Sequence, residues 1–300
     1  MTKDRKIKMK GCLFAFVTGA LWGISSPVGQ FLFENKNITP EWLVPYRMLL
    51  AGSLLLIYAK IRGQDILSVW KDKRDAVRLL VFGVTGMLGM QYVFFSAVHA
   101  MNAGTATVFQ YLNPAILILF FAVVHKIMPS KKEMISVIIS ITGIFLVATH
   151  GNFSTLAVSP RGLFFGILLA VVTCLYGVVP IPLLRKYSAE TVSAWGMLIG
   201  GAVLTVFTQP WKIKVEMDSQ IVAAFAFIIV VGTVLPFCFY LSSVKYAGAV
   251  YAGLFSCSEP VAATIVAAVY LGTKFAKVDI VGFVLVLSTL FILAIPDKTK

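Results

Sequence analysis

Apolar residues dominate ten stretches of this chain, each close to the about 20 residues that a helix needs to cross a bilayer. They fall at 11–33, 42–61, 79–98, 103–125, 133–149, 161–184, 190–208, 220–244, 249–271 and 278–295. The polar connections between them are short, and none could fold as a soluble domain. The longest internal one, 64–79, mixes Trp70 with Lys71, Lys73, Arg74 and Arg78. That mixture predicts an amphipathic turn or helix lying on the membrane surface. The pattern as a whole predicts an all-α integral membrane protein with ten transmembrane helices.

The two halves of the chain repeat each other. A shift of 146 residues places Gly86 on Gly232, Ser96 on Ser242, Ala106 on Ala252, Phe109 on Phe255 and Pro114 on Pro260, without a gap from about residue 79 to 149. Shifts of 149 and 154 bring Glu41 onto Glu190 and Leu21–Gly23 onto Leu175–Gly177. Residues 1–150 and 151–300 therefore read as two five-helix copies. Five is odd, so the second copy enters the membrane upside down. Inverted repeats of this kind suit a carrier with one mid-membrane site that is exposed to either side in turn.

Composition agrees with the pattern. The chain is 59% hydrophobic and 13% charged, with mean hydropathy +0.89, against about 45–50% and about 25% for soluble domains. The net charge of +13 does not point to nucleic acid, because the basic residues sit between apolar runs rather than on one face. They do orient the chain. With the N-terminus inside, 19 of the 26 Lys and Arg flank the inner ends and 6 the outer ends, Arg47 alone lying within a span. Both termini are expected to be cytoplasmic. The four cysteines lie inside apolar runs and form no CxxC pair, so they read as small apolar fillers. His99, His125 and His150 stand apart at span ends. There is no HExxH, no phosphate loop and no metal-ligand spacing. Neither a cofactor, nor a metal, nor an enzymatic activity is expected.

Two charges interrupt the oil. Glu259, followed by Pro260, lies ten residues after Ala249, about 15 Å deep at about 1.5 Å per residue. An acid near the midplane costs several kcal/mol unless it is paired, hydrated or protonated. Its repeat mate is Asn113, also followed by Pro, and one turn earlier stand Gln110 and Ser256. Each proline leaves a carbonyl one turn back without its helical donor, which at that depth needs protein or water beside it. Glu259 can thus mark a kink bonded to neighbouring helices, a cavity wall or a proton site. Arg47, next to Tyr46, has Gly196 as its mate and breaks the symmetry. It can snorkel outward, pair with Glu259, or bind a carboxylate or phosphate. Trp22, Ser26 and Gln30 share one helix face, and Trp22 is framed by Gly19 and Gly23. Tyr92, Phe95, Tyr111, Tyr176, Trp195, Phe237 and Tyr240 are further aromatic candidates for a cavity wall or an interfacial belt. The substrate-binding set expected from these arguments is Trp22, Ser26, Arg47, Tyr92, Gln110, Asn113, Tyr176, Ser256 and Glu259.

The segments ALWGISSP, YRMLLAGSLLL, AGTATVFQYLNPAILIL and AGLFSCSEPVAATIVAAVYLG resemble the EamA type of the drug/metabolite transporter superfamily over nearly the whole chain. The resemblance implies ten helices in two inverted repeats, a central cavity and movement of small metabolites, amino acids or drugs. One departure concerns the Gly-Glu that often follows the fourth and ninth helices in the family. Here Gly272 precedes Thr273, and the first copy reads His125-Lys126-Ile127, so no role of that acid carries over.

These readings converge on a multi-pass carrier of the bacterial cytoplasmic membrane, working by alternating access on a small organic molecule, with an exported apolar or aromatic amino acid as the first expectation. Its partners would be that solute and the lipid bilayer, with no nucleic acid. An exporter of organic cations or drugs is the alternative, and a non-transporting membrane scaffold or lipid-modifying enzyme is a more distant one.

Overall fold

A computed structural model describes residues 3–124, 126, 128–152 and 157–294. His125 and the last residue of the tenth expected span lie outside the described residues. Among the described residues, ten helices are long and apolar enough to cross a membrane: α1 (Ile7–Lys36), α2 (Pro40–Ile61), α3 (Lys73–Ala100), α4 (Ala103–Val124), α5 (Lys131–Thr149), α6 (Pro160–Leu184), α7 (Ala189–Thr208), α8 (Ser219–Ala247), α9 (Tyr251–Tyr270) and α10 (Lys277–Ala294). They form two inverted five-helix repeats, so α1 begins and α10 ends on one face, here called the terminal face. Side chains such as Phe207, Val123 and Tyr270, each more than three-quarters exposed, point outward where only lipid can cover them.

The repeat is visible in the irregularities. α3 carries a π-helical stretch at Phe82–Leu88 and α8 one at Val230–Val234. α4 breaks between Gln110 and Asn113, and α9 between Phe255 and Ser258. Each break is a tightened turn: Tyr111 N–H donates to Val108 O at 3.1 Å, and Cys257 N–H to Leu254 O at 3.2 Å. Pro114 and Pro260 follow directly and cannot donate to the turn before them. Discontinuous helices and π-bulges at mid-membrane are where a transporter fold holds its polar sites.

Small residues bring α1 against α9. A Cβ on Gly23 would overlap the carbonyl oxygen of Glu259 and lie 2.7 Å from Ala262 Cβ. A Cβ on Gly19 would overlap Ser256 O. α1 therefore fixes the position of the α9 break. Gly23→Ala is expected to cost about 1–3 kcal/mol through overpacking, read as a lower unfolding temperature of the purified protein. An unchanged temperature would mean that α9 shifts freely at this contact.

α3 begins earlier than its apolar pattern suggests. The Asp72 carboxylate accepts from Arg74 N–H at 2.8 Å and caps the helix at Lys73. Asp75, fully buried, accepts from Lys186 Nζ at 2.7 Å, Tyr187 OH at 3.0 Å and Arg78 Nη1 at 3.1 Å. Nearby, Trp195 Nε1 donates to Ile66 O at 2.7 Å, and Ser188 Oγ to Gln64 Oε1. These contacts join the two halves at the terminal face. The hydrogen bond to Asp75 holds the Lys186 ammonium above the usual lysine range. A raised folded value means that this contribution is complete at neutral pH and lost only as pH climbs past the ordinary lysine value of about 10.4. Asp75→Asn should lower the unfolding temperature at pH 7 and blunt its fall at strongly alkaline pH. Identical unfolding curves would contradict the contact's role.

Candidate functional site

A cavity of about 210 Å³ lies between the halves, lined from α1, α2, α3, α4, α6, α8 and α9. Its wall brings together six of the residues expected from the sequence: Trp22, Arg47, Gln110, Tyr176, Ser256 and Glu259. Tyr111, Phe95, Phe237 and Tyr240 join them, with Ser25, Met90, Gln91, Phe94, Thr173 and Gly253. The wall is mostly ring and hydrocarbon. Trp22 meets Phe237 edge-on with centroids 5.8 Å apart and tilts over Tyr240 at 5.8 Å.

Arg47 is held deep in this wall at 5% exposure. Its Nε donates to Thr233 Oγ1 at 2.8 Å, Nη1 to Gln91 Oε1 at 2.8 Å and Nη2 to Gly232 O at 3.4 Å. Gly232 lies four residues before Pro236, which has no N–H to offer that carbonyl. The guanidinium carbon sits 4.7 Å from the centre of the Phe95 ring. Every one of these partners is a dipole or a ring, and among the described residues no carboxylate forms an ion pair with the guanidinium. Arg47 neither snorkels nor pairs with Glu259.

Glu259 is equally buried, at 5% exposure. Its Oε2 accepts from Tyr111 OH at 3.2 Å, and the same hydroxyl lies 3.2 Å from Ser256 O. Ser256 O is the carbonyl four residues before Pro260. That carbonyl accepts from Glu259 N–H at 3.0 Å in place of the missing Pro260 donor, and a side chain from the first half thus meets an acid and a main-chain carbonyl of the second. Gln110 contributes a buried Oε1 that has no hydrogen-bond partner among the described residues. This end of the cavity is rich in acceptors and poor in donors, while the Arg47 end offers positive charge.

Three expected residues do not reach the cavity wall. Ser26 Oγ donates to Gly23 O at 3.2 Å, filling the place of the donor that Pro27 lacks. Tyr92 OH donates to Glu41 Oε1 at 2.8 Å near the far face. Asn113 lies just past the α4 break, and its main-chain oxygen accepts from Cys174 Sγ at 3.3 Å. Among the wall residues that sequence reasoning missed, Gln91 had a usable signal as an amide stranded within an apolar run. Phe94, Thr173 and Gly253 carried none.

The wall is open at one end. Gly253 is exposed and Tyr176 and Tyr240 half-buried, all in the parts of α9, α6 and α8 that lead to the terminal face. Arg47, Gln91, Phe94 and Phe95, on the far-face side, are buried. Ties across the far face close that end. Gln30 Oε1 accepts from Ala103 N–H at 2.9 Å, Gln30 Nε2 donates to Thr273 Oγ1 at 3.2 Å, and Lys36 meets Asp218 at 2.6 Å.

Comparisons with known proteins bear on this geometry. The EamA-like transporter family matches residues 9–149 and 160–295, one segment per repeat. The chain is similar to the uncharacterized inner membrane transporter YicL of Salmonella typhimurium, with 31% identity over 97% of each chain. It is also similar to the uncharacterized transporter YyaM of Bacillus subtilis, with 24% identity over 91% of this chain and 88% of that one. A solved crystal structure superposes with TM-score 0.63 at 14% identity, covering 96% of both chains, a likeness of fold.

Proposed function

The chain belongs to the EamA-like transporter family, and from that premise we propose that it is a secondary transporter carrying a small zwitterionic metabolite across the cytoplasmic membrane by alternating access. The first candidates are neutral amino acids with apolar or aromatic side chains. One observation carries this reading: the cavity wall holds a buried cation and a buried acid that do not pair with each other. Burying a lone charge is costly, and a cargo with both signs relieves both costs. Its carboxylate would meet Arg47, its ammonium the acceptor cluster of Glu259 and Gln110, and its side chain the rings of Trp22, Phe237 and Tyr240. At about 30 Å³ per water, the cavity has the size of roughly seven waters, which suits a solute of this class.

Basic residues on the terminal-face loops favour cytoplasmic termini. The arrangement then corresponds to the inward-open state, which loads cargo for export. Rocking of residues 1–150 against 151–300 would open the Gln30–Thr273 and Lys36–Asp218 ties of the far face and close the terminal face. The test is flux from proteoliposomes. Neutral amino acids should move, while the matching amines without a carboxylate and acids without an amine should move at least about tenfold more slowly, since one charged contact is worth about 1.5–3 kcal/mol. Equal flux of all three classes would refute the zwitterion.

The aromatic wall beside Glu259 supports a second reading, an exporter of organic cations held by cation–π contact. That carrier would move amines as fast as amino acids and would tolerate loss of Arg47.

A further inference from the structure

Glu259, Tyr111, Ser256 and Gln110 form a group whose hydrogen bonds do not close. Tyr111 has one hydroxyl proton and two acceptors at equal distance, Glu259 Oε2 and Ser256 O, each 3.2 Å away. It can serve one of them at a time. Gln110 Oε1 is buried with no donor among the described residues, although Gln110 is only 9% exposed and lines the same cavity. The group therefore leaves the Gln110 carbonyl oxygen unserved and one hydroxyl proton shared between two acceptors whenever cargo is absent.

We propose that Glu259 is a proton-binding site which the cargo ammonium and a proton occupy in alternation, with the Tyr111 hydroxyl changing acceptor as they exchange. With cargo bound, Glu259 is a carboxylate, and Tyr111 donates to it beside the ammonium. When cargo leaves, a proton from water adds to one Glu259 oxygen and makes a neutral carboxyl group. That group needs no counter-ion and can itself donate to an acceptor in the wall. Tyr111 then turns its hydrogen to Ser256 O, a carbonyl that Pro260 cannot serve and that otherwise accepts from Glu259 N–H at 3.0 Å. The hydroxyl belongs to α4 of the first half and both acceptors to α9 of the second, so the exchange also alters a contact between the halves.

The other titratable groups around Glu259 do not supply the counter-charge. Arg47 of α2 is in the same cavity but is already bound to Thr233, Gln91 and Gly232. α4, α6 and α8 contribute the phenols of Tyr111, Tyr176 and Tyr240, and α9 itself contributes Cys257. α1 and α3 bring no titratable group to the cavity wall.

The proposal extends the transport reading above but is tested without any cargo, the proton being the probe. The full chain in lipid nanodiscs is titrated from alkaline to acidic buffer and followed by infrared difference spectroscopy. A protonated-carboxyl band is expected to appear in the wild type and to be missing in Glu259→Gln. In Tyr111→Phe the same band should appear at higher pH, since the phenol that stabilises the anion is gone, with proton affinity raised about three- to tenfold, the excess of a hydrogen bond to a carboxylate over one to a neutral carbonyl. The absence of any Glu259-dependent band, or an unmoved midpoint in Tyr111→Phe, would overturn the proposal. Should Glu259→Gln not yield folded protein, the Tyr111→Phe midpoint still decides. Flux assays on the same preparation separate the two ideas. A Glu259 band without amino-acid flux would refute the transport reading alone, and flux without the band would refute the proton site alone.

Discussion

Arg47→Gln is expected to yield folded protein that moves a neutral amino acid about 10- to 100-fold more slowly at sub-saturating concentration. The guanidinium is buried at 5% exposure with only dipoles and the Phe95 ring around it. A carboxylate docking there would make charge-assisted hydrogen bonds of about 1.5–3 kcal/mol net, and about 1.4 kcal/mol is tenfold in affinity. Glutamine keeps an amide that can reach Thr233 or Gln91 but has no charge to offer. The fold should survive, because removing an uncompensated buried charge offsets part of the lost hydrogen bonding. Flux in proteoliposomes, with size-exclusion profiles as the folding control, checks both halves of the expectation. Wild-type flux in this variant would remove Arg47 from the site.

Glu259→Gln should be at least as damaging to cargoes that carry an amine. Among the described residues the carboxylate accepts from one donor, Tyr111, so most of its capacity is free for the cargo. The amide is nearly isosteric and can still accept from Tyr111, which leaves the α9 break intact. It cannot balance an ammonium in a cavity walled by Trp22, Phe237 and Tyr240, where low polarity strengthens charge interactions. A loss of about 10- to 100-fold in flux of amino acids follows from the same charge-assisted increments. Acids lacking the amine should be transported no worse than by the wild type. Amino-acid flux at the wild-type level would leave Glu259 a purely structural residue.

How far the sequence foretold this depends on the kind of contact. The ten spans were legible because lipid demands long apolar runs. The repeat was legible because both copies keep proline after the break in α4 and α9. The start of α3 was not, because Asp75 reads as a surface charge until Lys186 and Tyr187, more than a hundred residues later, are folded onto it. Arg47 and Glu259 stood out as charges in oil. Trp22 stood out because flanking glycines bring α1 close to α9. Ser26, Tyr92 and Asn113 share polarity and depth with the wall residues, and no sequence pattern told which helix face each would present. Ser26 is absorbed by a carbonyl that its neighbouring proline leaves open. The π-helical stretches were invisible, since Phe82–Leu88 and Val230–Val234 read as ordinary apolar helix. Arg47 docks on the second of these through Thr233 and Gly232.

In the proposed mode of binding, one cargo touches Arg47 and Glu259 at once. A cycle that crosses protein variants with trimmed cargoes tests it most directly. Flux of one transported amino acid, its amine without the carboxylate and its acid without the amine is measured on the wild type, Arg47→Gln and Glu259→Gln. Losing the cargo carboxylate should be costly on the wild type and nearly free on Arg47→Gln, and likewise for the amine on Glu259→Gln. Losses that simply add, with each trimmed cargo penalised equally on all three proteins, would contradict it.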